Sequence, residues 1–157
     1  MSNIADNVET VRARIAAACE RAGRDATEVQ LVAVSKKFTP DIIREAADAG
    51  LTLFGENRIQ EAKIKIPECP GRLRWHFIGN LQTNKCRDAV ALFEMVHAVD
   101  SLRLAEELNK RCEQAAKVMP VLLEVNVSGE GSKHGFLPAD AVEAMRAFFD
   151  FPQLELH

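Results

Sequence analysis

The chain has 157 residues, 47% of them hydrophobic and 27% charged, with a formal net charge of -3. That is enough for one domain with a buried core, and the composition is ordinary for a soluble globular protein. The small negative charge gives no general attraction for nucleic acid or an anionic membrane, and no apolar run approaches the ~20 residues of a membrane span.

The first element, "MSNIADNVETVRARIAAACERAG", has the spacing of an amphipathic helix and no apolar signal core, so the expected location is the cytoplasm. A phrase then repeats: a short β-rich run ends in polar or glycine residues and a helical stretch follows. "VQLVAVS" (29–35) leads to "TPDIIREAADAG", with Thr39 placed to cap, Pro40 at the first helical position and Gly50 as the stop. "LTLFGEN" (51–57) leads to a helix around "RIQEAKIKI". "LRWHFIGN" (73–80) leads to "NKCRDAVALF", and "EMVHAVD" (94–100) to "SLRLAEELNKRCEQAAK", which has a strong 3.6-residue pattern. "VMPVLLEVNVS" (118–128) leads through a glycine-containing loop to "PADAVEAMRAFFD", and "LELH" starts a sixth strand.

Alternating apolar strands and helices imply a parallel sheet covered by helices in one domain, residues 1–157. An open doubly wound sheet and a (β/α)8 barrel both fit, and no GxGxxG follows the first strand. Cysteines 19, 69, 86 and 112 form no CxxC pair and have no histidine cluster, so reduced, independent thiols are expected and no metal site. The "NVS" at 126–128 matches a glycosylation sequon by chance, given the absence of a secretory signal.

In either architecture ligand chemistry belongs at the C-terminal ends of the strands. Those ends carry Ser35, Lys36 and Lys37; Glu56 and Asn57; Gly79, Asn80 and Gln82; Asp100; and Asn126 and Ser128. The lysine pair after an apolar run is the most informative. At an ordinary pKa only roughly one lysine in 2,500 is neutral at pH 7, and only the neutral amine attacks an aldehyde. A desolvated mouth or a second cation alongside, such as Lys37, raises that fraction. Alternation puts Lys36 and Lys37 on opposite faces, but Leu31 and Ala33 on one face are as apolar as Val32 and Val34 on the other. Pattern alone leaves the nucleophile open.

"AVSK" at 33–36, "FGEN" at 54–57, "WHFIGNLQTNK" at 75–85 and "NVSGEGSKHG" at 126–135 are collinear motifs. In them the chain resembles the pyridoxal phosphate homeostasis proteins, which in turn resemble the barrel domain of alanine racemase. The resemblance runs from residue 4 onward and implies a (β/α)8 TIM-type barrel with an extra N-terminal helix. Here that barrel is expected to be cut to about five βα units plus the start of a sixth strand. It implies that Lys36 carries pyridoxal phosphate as an internal aldimine and that Asn57 lies beside the cofactor near its phenolic oxygen. His76 is expected near the cofactor pocket, Asn126 among the cofactor-binding strand ends, and Trp75 in core packing. The family often has Thr-Lys after the anchoring lysine, where this chain has Lys37 and Phe38. By the same resemblance "GEGSKHG" is a mobile strand-end loop in which Lys133 could meet an anion, and His97 and His134 are structural or exposed.

The function implied is intracellular pyridoxal phosphate homeostasis, as a carrier or regulator rather than an enzyme with turnover. The alternative is a pyridoxal phosphate-dependent amino acid racemase or decarboxylase of the alanine racemase type. Expected partners are the cofactor and apo-enzymes that receive it, with no nucleic acid or membrane, and the intact protein is expected to be a monomer. The phosphate-binding residues are expected beyond residue 157.

Overall fold

The computed structural model describes residues 3–131 and 134–157. In chain order the elements are α1 (Ile4–Ala22), β1 (Ala33–Val34), α2 (Pro40–Asp48), β2 (Leu53–Glu56), α3 (Ile59–Lys65) and β3 (Arg74–Phe77). They continue with α4 (Cys86–Leu92), β4 (Met95–Val99), α5 (Leu102–Gln114), β5 (Met119–Leu123), α6 (Ala141–Ala147) and β6 (Leu154–Leu156). All five strand pairs are parallel, and the order across the sheet is β1-β2-β3-β4-β5-β6.

That order decides between the two architectures. A doubly wound sheet reverses its strand order at a switch point, whereas here every strand lies beside its predecessor. Right-handed crossovers then place the helices on one face and leave the other as the inner wall of a barrel-type sheet. One register shift, between Val96 and Val99, interrupts the β4–β5 ladder.

Local chemistry explains the boundaries. Asn3 opens α1 by accepting the Ala5 N–H at 3.0 Å, and Gly23 closes it with φ 63°. Pro40 opens α2, but the Thr39 hydroxyl makes no capping bond, so proline rather than threonine chemistry sets that start. Gly50, at φ 87°, offers its carbonyl to Arg12 Nη2 at 2.7 Å, which ties the end of α2 to α1. Ser101 caps α5 by accepting the Leu104 N–H at 3.4 Å. Strand β1 is much shorter than the run 29–35, because ladder pairing covers only Ala33 with Phe54 and Val34 with Gly55. Residues 26–28 ahead of it form a 3₁₀ turn capped by Asp25, whose carboxyl pKa is lowered by the hydrogen bonds from Thr27.

The core lies between the sheet and the helix layer. Phe54, Trp75, Phe77, Val96, Met119 and Val121 from the strands meet Ile43, Ile59, Ala62, Val90, Leu104 and Leu108 from the helices. Trp75 packs on Phe54 with ring centroids 5.4 Å apart, as expected of a core tryptophan. Full burial of each large side chain contributes about 1.5–3 kcal/mol.

Candidate functional site

Ser35 shows which face of β1 is which. It is buried, its N–H donates to the Gly55 carbonyl at 3.0 Å, and its hydroxyl donates to Glu56 Oε1 at 2.7 Å. Glu56 is fully buried and also accepts from Lys65 Nζ at 2.7 Å, so Ser35 and Glu56 both face the helix layer. Ala33, which shares a parity with Ser35, packs against the core. Val32 and Val34 therefore belong to the inner face. A Cβ built on Gly55 would lie 3.1 Å from Val32 Cγ1 and 3.0 Å from Ile78 Cδ1, which places those residues together there. Lys36 follows as the second residue of the turn that leaves β1, and its side chain is exposed.

Lys37 does not continue the strand. Its φ of 69° puts it in the left-handed region, at the third position of a turn closed by the Phe38 N–H donating to the Ser35 carbonyl at 3.1 Å. A non-glycine residue there costs about 1–2 kcal/mol.

Glu56 needs a correction. Counted among the polar strand ends, it instead faces the helix layer, because alternation gives the inner face to its neighbour Gly55. The signal for its partner was in the sequence: Ile59, Ala62 and Lys65 are spaced three apart, and they are the buried residues of α3. Lys65 sits on the apolar stripe of that helix, where a lysine needs a buried partner.

The register brings the other site residues level. Val34 pairs with Gly55 and Gly55 with His76, so Lys36, Asn57 and Ile78 each lie two residues beyond one level. Asn57 is half-buried. Gly79 follows, and a Cβ on it would come within 2.5 Å of the Asn57 carbonyl oxygen, so only glycine permits this approach.

His76 is buried on the inner face, deeper than Lys36. Its Nδ1 lies 3.0 Å from His97 Nε2, one neutral ring donating and the other accepting. Desolvation, followed by the neighbouring His97 and Arg74, lowers the His76 pKa to about 4 against the opposing pull of Glu94. Burial also lowers that of His97. His97, set aside at the level of sequence, is thus half of a neutral pair; only strand register could have revealed it.

The remaining strand ends support one another. Asn80 Nδ2 donates to Asp100 Oδ2 at 2.9 Å, the Ser101 hydroxyl donates to Asp100 Oδ1 at 3.1 Å, and His134 Nδ1 lies 3.6 Å from the same carboxylate. Asn126 is buried and frames the loop after β5. Its Oδ1 accepts from the Ser128 hydroxyl and the Gly129 N–H, both at 3.1 Å, and its Nδ2 donates to the Glu130 carbonyl at 3.0 Å. Lys133 lies outside the described residues.

All four cysteines are free; burial pushes the Cys86 thiol up to about 12, with Glu107 adding to the effect. Among the described residues no group of three or more His, Cys, Asp or Glu could hold a metal, and no helix is long and apolar enough to cross a membrane.

Comparison with known proteins places this arrangement in a family. Residues 2–157 match the model of the alanine racemase N-terminal domain. The pyridoxal phosphate homeostasis protein of Pseudomonas aeruginosa is 43% identical over 99% of this chain, which spans 68% of that relative. Its Escherichia coli namesake is 41% identical with the same coverage. The structure of PipY from Synechococcus elongatus with pyridoxal phosphate bound superposes with a TM-score of 0.81 at 34% identity, over 98% of this chain and 68% of that one. Alanine racemase from Clostridium difficile shares the fold alone, with a TM-score of 0.68 at 14% identity over 82% of this chain and 34% of that one. The chain therefore belongs to the alanine racemase N-terminal domain family and, within it, to the pyridoxal phosphate homeostasis proteins.

Proposed function

We propose that this protein binds pyridoxal 5'-phosphate through the Lys36 amine and holds it for exchange with the intracellular pool, including apo-enzymes that need it. The observation that carries the reading is the position of Lys36. It is an exposed amine in the turn directly after β1, next to the buried Ser35, in a chain whose relatives are named for this cofactor.

The residues fit the group. When bound, the cofactor supplies a reactive aldehyde that a primary amine takes up reversibly. Lys36 is that amine, and it reacts in its neutral form. Asn57 lies two residues beyond the Val34–Gly55 level, as Lys36 does, and Gly79 lets the next strand end approach the Asn57 backbone closely. The neutral His76–His97 pair forms the wall beneath, and Asn126 holds the loop at the far side of the mouth.

Mixing the protein with pyridoxal phosphate should produce a visible absorption band. Borohydride reduction and peptide mass mapping should then mark Lys36; a label mainly on Lys37 or Lys133 overturns the assignment. Lys36→Ala should abolish the band with an unchanged far-UV spectrum, since an exposed side chain at a strand end contributes little packing. A carrier should pass its cofactor to an apo-enzyme and leave the α-carbon of L-alanine unexchanged. Deuterium wash-in at enzyme-like rates, about 1–1,000 per second, would favour a racemase instead.

A further inference from the structure

Ser35, the residue before Lys36, is buried, and so are Glu56 and Lys65. Glu56 Oε1 accepts from the Ser35 hydroxyl and from Lys65 Nζ, each at 2.7 Å. Lys65 Nζ also donates, at 3.0 Å, to the Ser35 carbonyl, which belongs to the peptide bond leading into Lys36. The same carbonyl accepts the Phe38 N–H and so closes the turn that carries Lys36 and Lys37.

Stability alone does not account for this cluster. A buried ion pair is often no better than apolar side chains of the same volume. This one is incomplete besides, since Glu56 Oε2 is buried without a hydrogen-bond partner among the described residues. Apolar side chains in these places could fill the space, but they could not grip the Ser35 carbonyl and hydroxyl at once. Nor could they hold the left-handed residue Lys37 in its turn.

We infer that Glu56, Lys65 and Ser35 are positioning residues for Lys36. Lys65, reaching up from the last turn of α3, anchors the carbonyl of the Ser35–Lys36 peptide. Glu56 holds both the Lys65 ammonium and the Ser35 side chain. Together they fix the peptide plane from which the Lys36 side chain departs, so that the amine meets the cofactor aldehyde already aimed. The inference rests on Lys36 being the anchor.

The test compares three variants with the wild-type protein. In Glu56→Leu/Lys65→Met both charges give way to apolar groups, so no charge is stranded. Ser35→Ala removes the hydroxyl alone, and Ser35→Thr keeps it. For each, the rate of cofactor attachment after mixing with pyridoxal phosphate is followed by visible absorbance from neutral to alkaline pH, beside urea unfolding. In the double variant attachment should slow by about tenfold or more, as ångström-scale misplacement of a reacting group does, at a urea midpoint close to wild type. Ser35→Ala should slow severalfold and Ser35→Thr should restore the rate; this pair decides the matter if the double variant does not fold. Wild-type rates and pH profiles in folded double variant and Ser35→Ala alike would overturn the inference and reduce the cluster to packing. A wild-type label that maps away from Lys36 would instead overturn the anchor assignment, and the positioning role with it.

Discussion

The sheet holds a buried polar cluster on each face, and the two are kept buried by opposite means. On the helix side Glu56 and Lys65 stay together as a close ion pair, with Ser35 completing the contact. On the inner side His76 and His97 sit 3.0 Å apart as neutral rings, with burial as the main force lowering both pKa values. The helix face can supply an opposite charge because Lys65, the last residue of α3, reaches the Glu56 carboxylate at the end of β2. For an imidazole, shedding a proton is the cheaper answer to desolvation, because its ordinary pKa lies so near neutrality. One face thus grips backbone with charge, and the other carries its buried polar rings without adding any.

The largest expected effect comes from breaking the ionic cluster on one side only. Lys65→Ala strands the fully buried Glu56 carboxylate, and loss of one partner of a buried pair costs about 3–5 kcal/mol. Urea unfolding at neutral pH should show that loss, and Glu56→Leu/Lys65→Met should recover most of it. A single-variant loss under about 1 kcal/mol, the range of an exposed pair, would mean that water reaches the pair and that the contrast between the faces is false.

Much of this was legible in the sequence, but not the part that sets the faces apart. The six strands and their helices follow from apolar runs punctuated by Thr39–Pro40, Gly50 and Ser101, and the structure moves their ends rather than their existence. Lys36 and Asn57 stood out as strand-end residues. Yet Val32 and Val34 are as apolar as Leu31 and Ala33, so which face of β1 meets the helices waited on seeing Ser35 bonded to Glu56. The His76–His97 contact joins residues 21 apart through the β3–β4 register, which no local pattern encodes. Lys65 was the one missed residue with a local signal, its three-residue spacing from Ala62 and Ile59.

The neutral pair should reveal itself through pH. The folded-state pKa of His76, about 4, lies below its ordinary value of 6.5, so the unfolded chain takes up that proton first. The stability tied to the neutral ring is complete well above pH ~6.5 and is lost progressively as pH falls through ~4, by about 3 kcal/mol in all. His76→Gln removes this titration and should flatten the acid limb, so that the stability difference between variant and wild type narrows from pH 7 to pH 4. Urea midpoints measured across that range check it. Parallel acid limbs would mean that the His76 ring is solvated and titrates alike in both states, and the contrast between the two faces would fail.

The smallest effect sharpens the comparison most, because it asks what the ionic cluster is holding. Lys37 sits at φ 69° with no side-chain hydrogen bond or ion pair among the described residues, immediately after the peptide that Lys65 and Phe38 grip. Glycine adopts this conformation freely, but it also loses more chain entropy on folding, so Lys37→Gly should stabilise the protein by only about 0.5–1 kcal/mol. The informative quantity is how that gain changes when the cluster is gone. If Ser35, Glu56 and Lys65 impose the turn, removing them lets Lys37 relax, and the gain from glycine should shrink in the Glu56→Leu/Lys65→Met background. Urea unfolding of the four proteins of this cycle measures the coupling. Equal gains in both backgrounds would show that the turn holds itself, and that the ionic face supports the strand end no more specifically than the neutral face does.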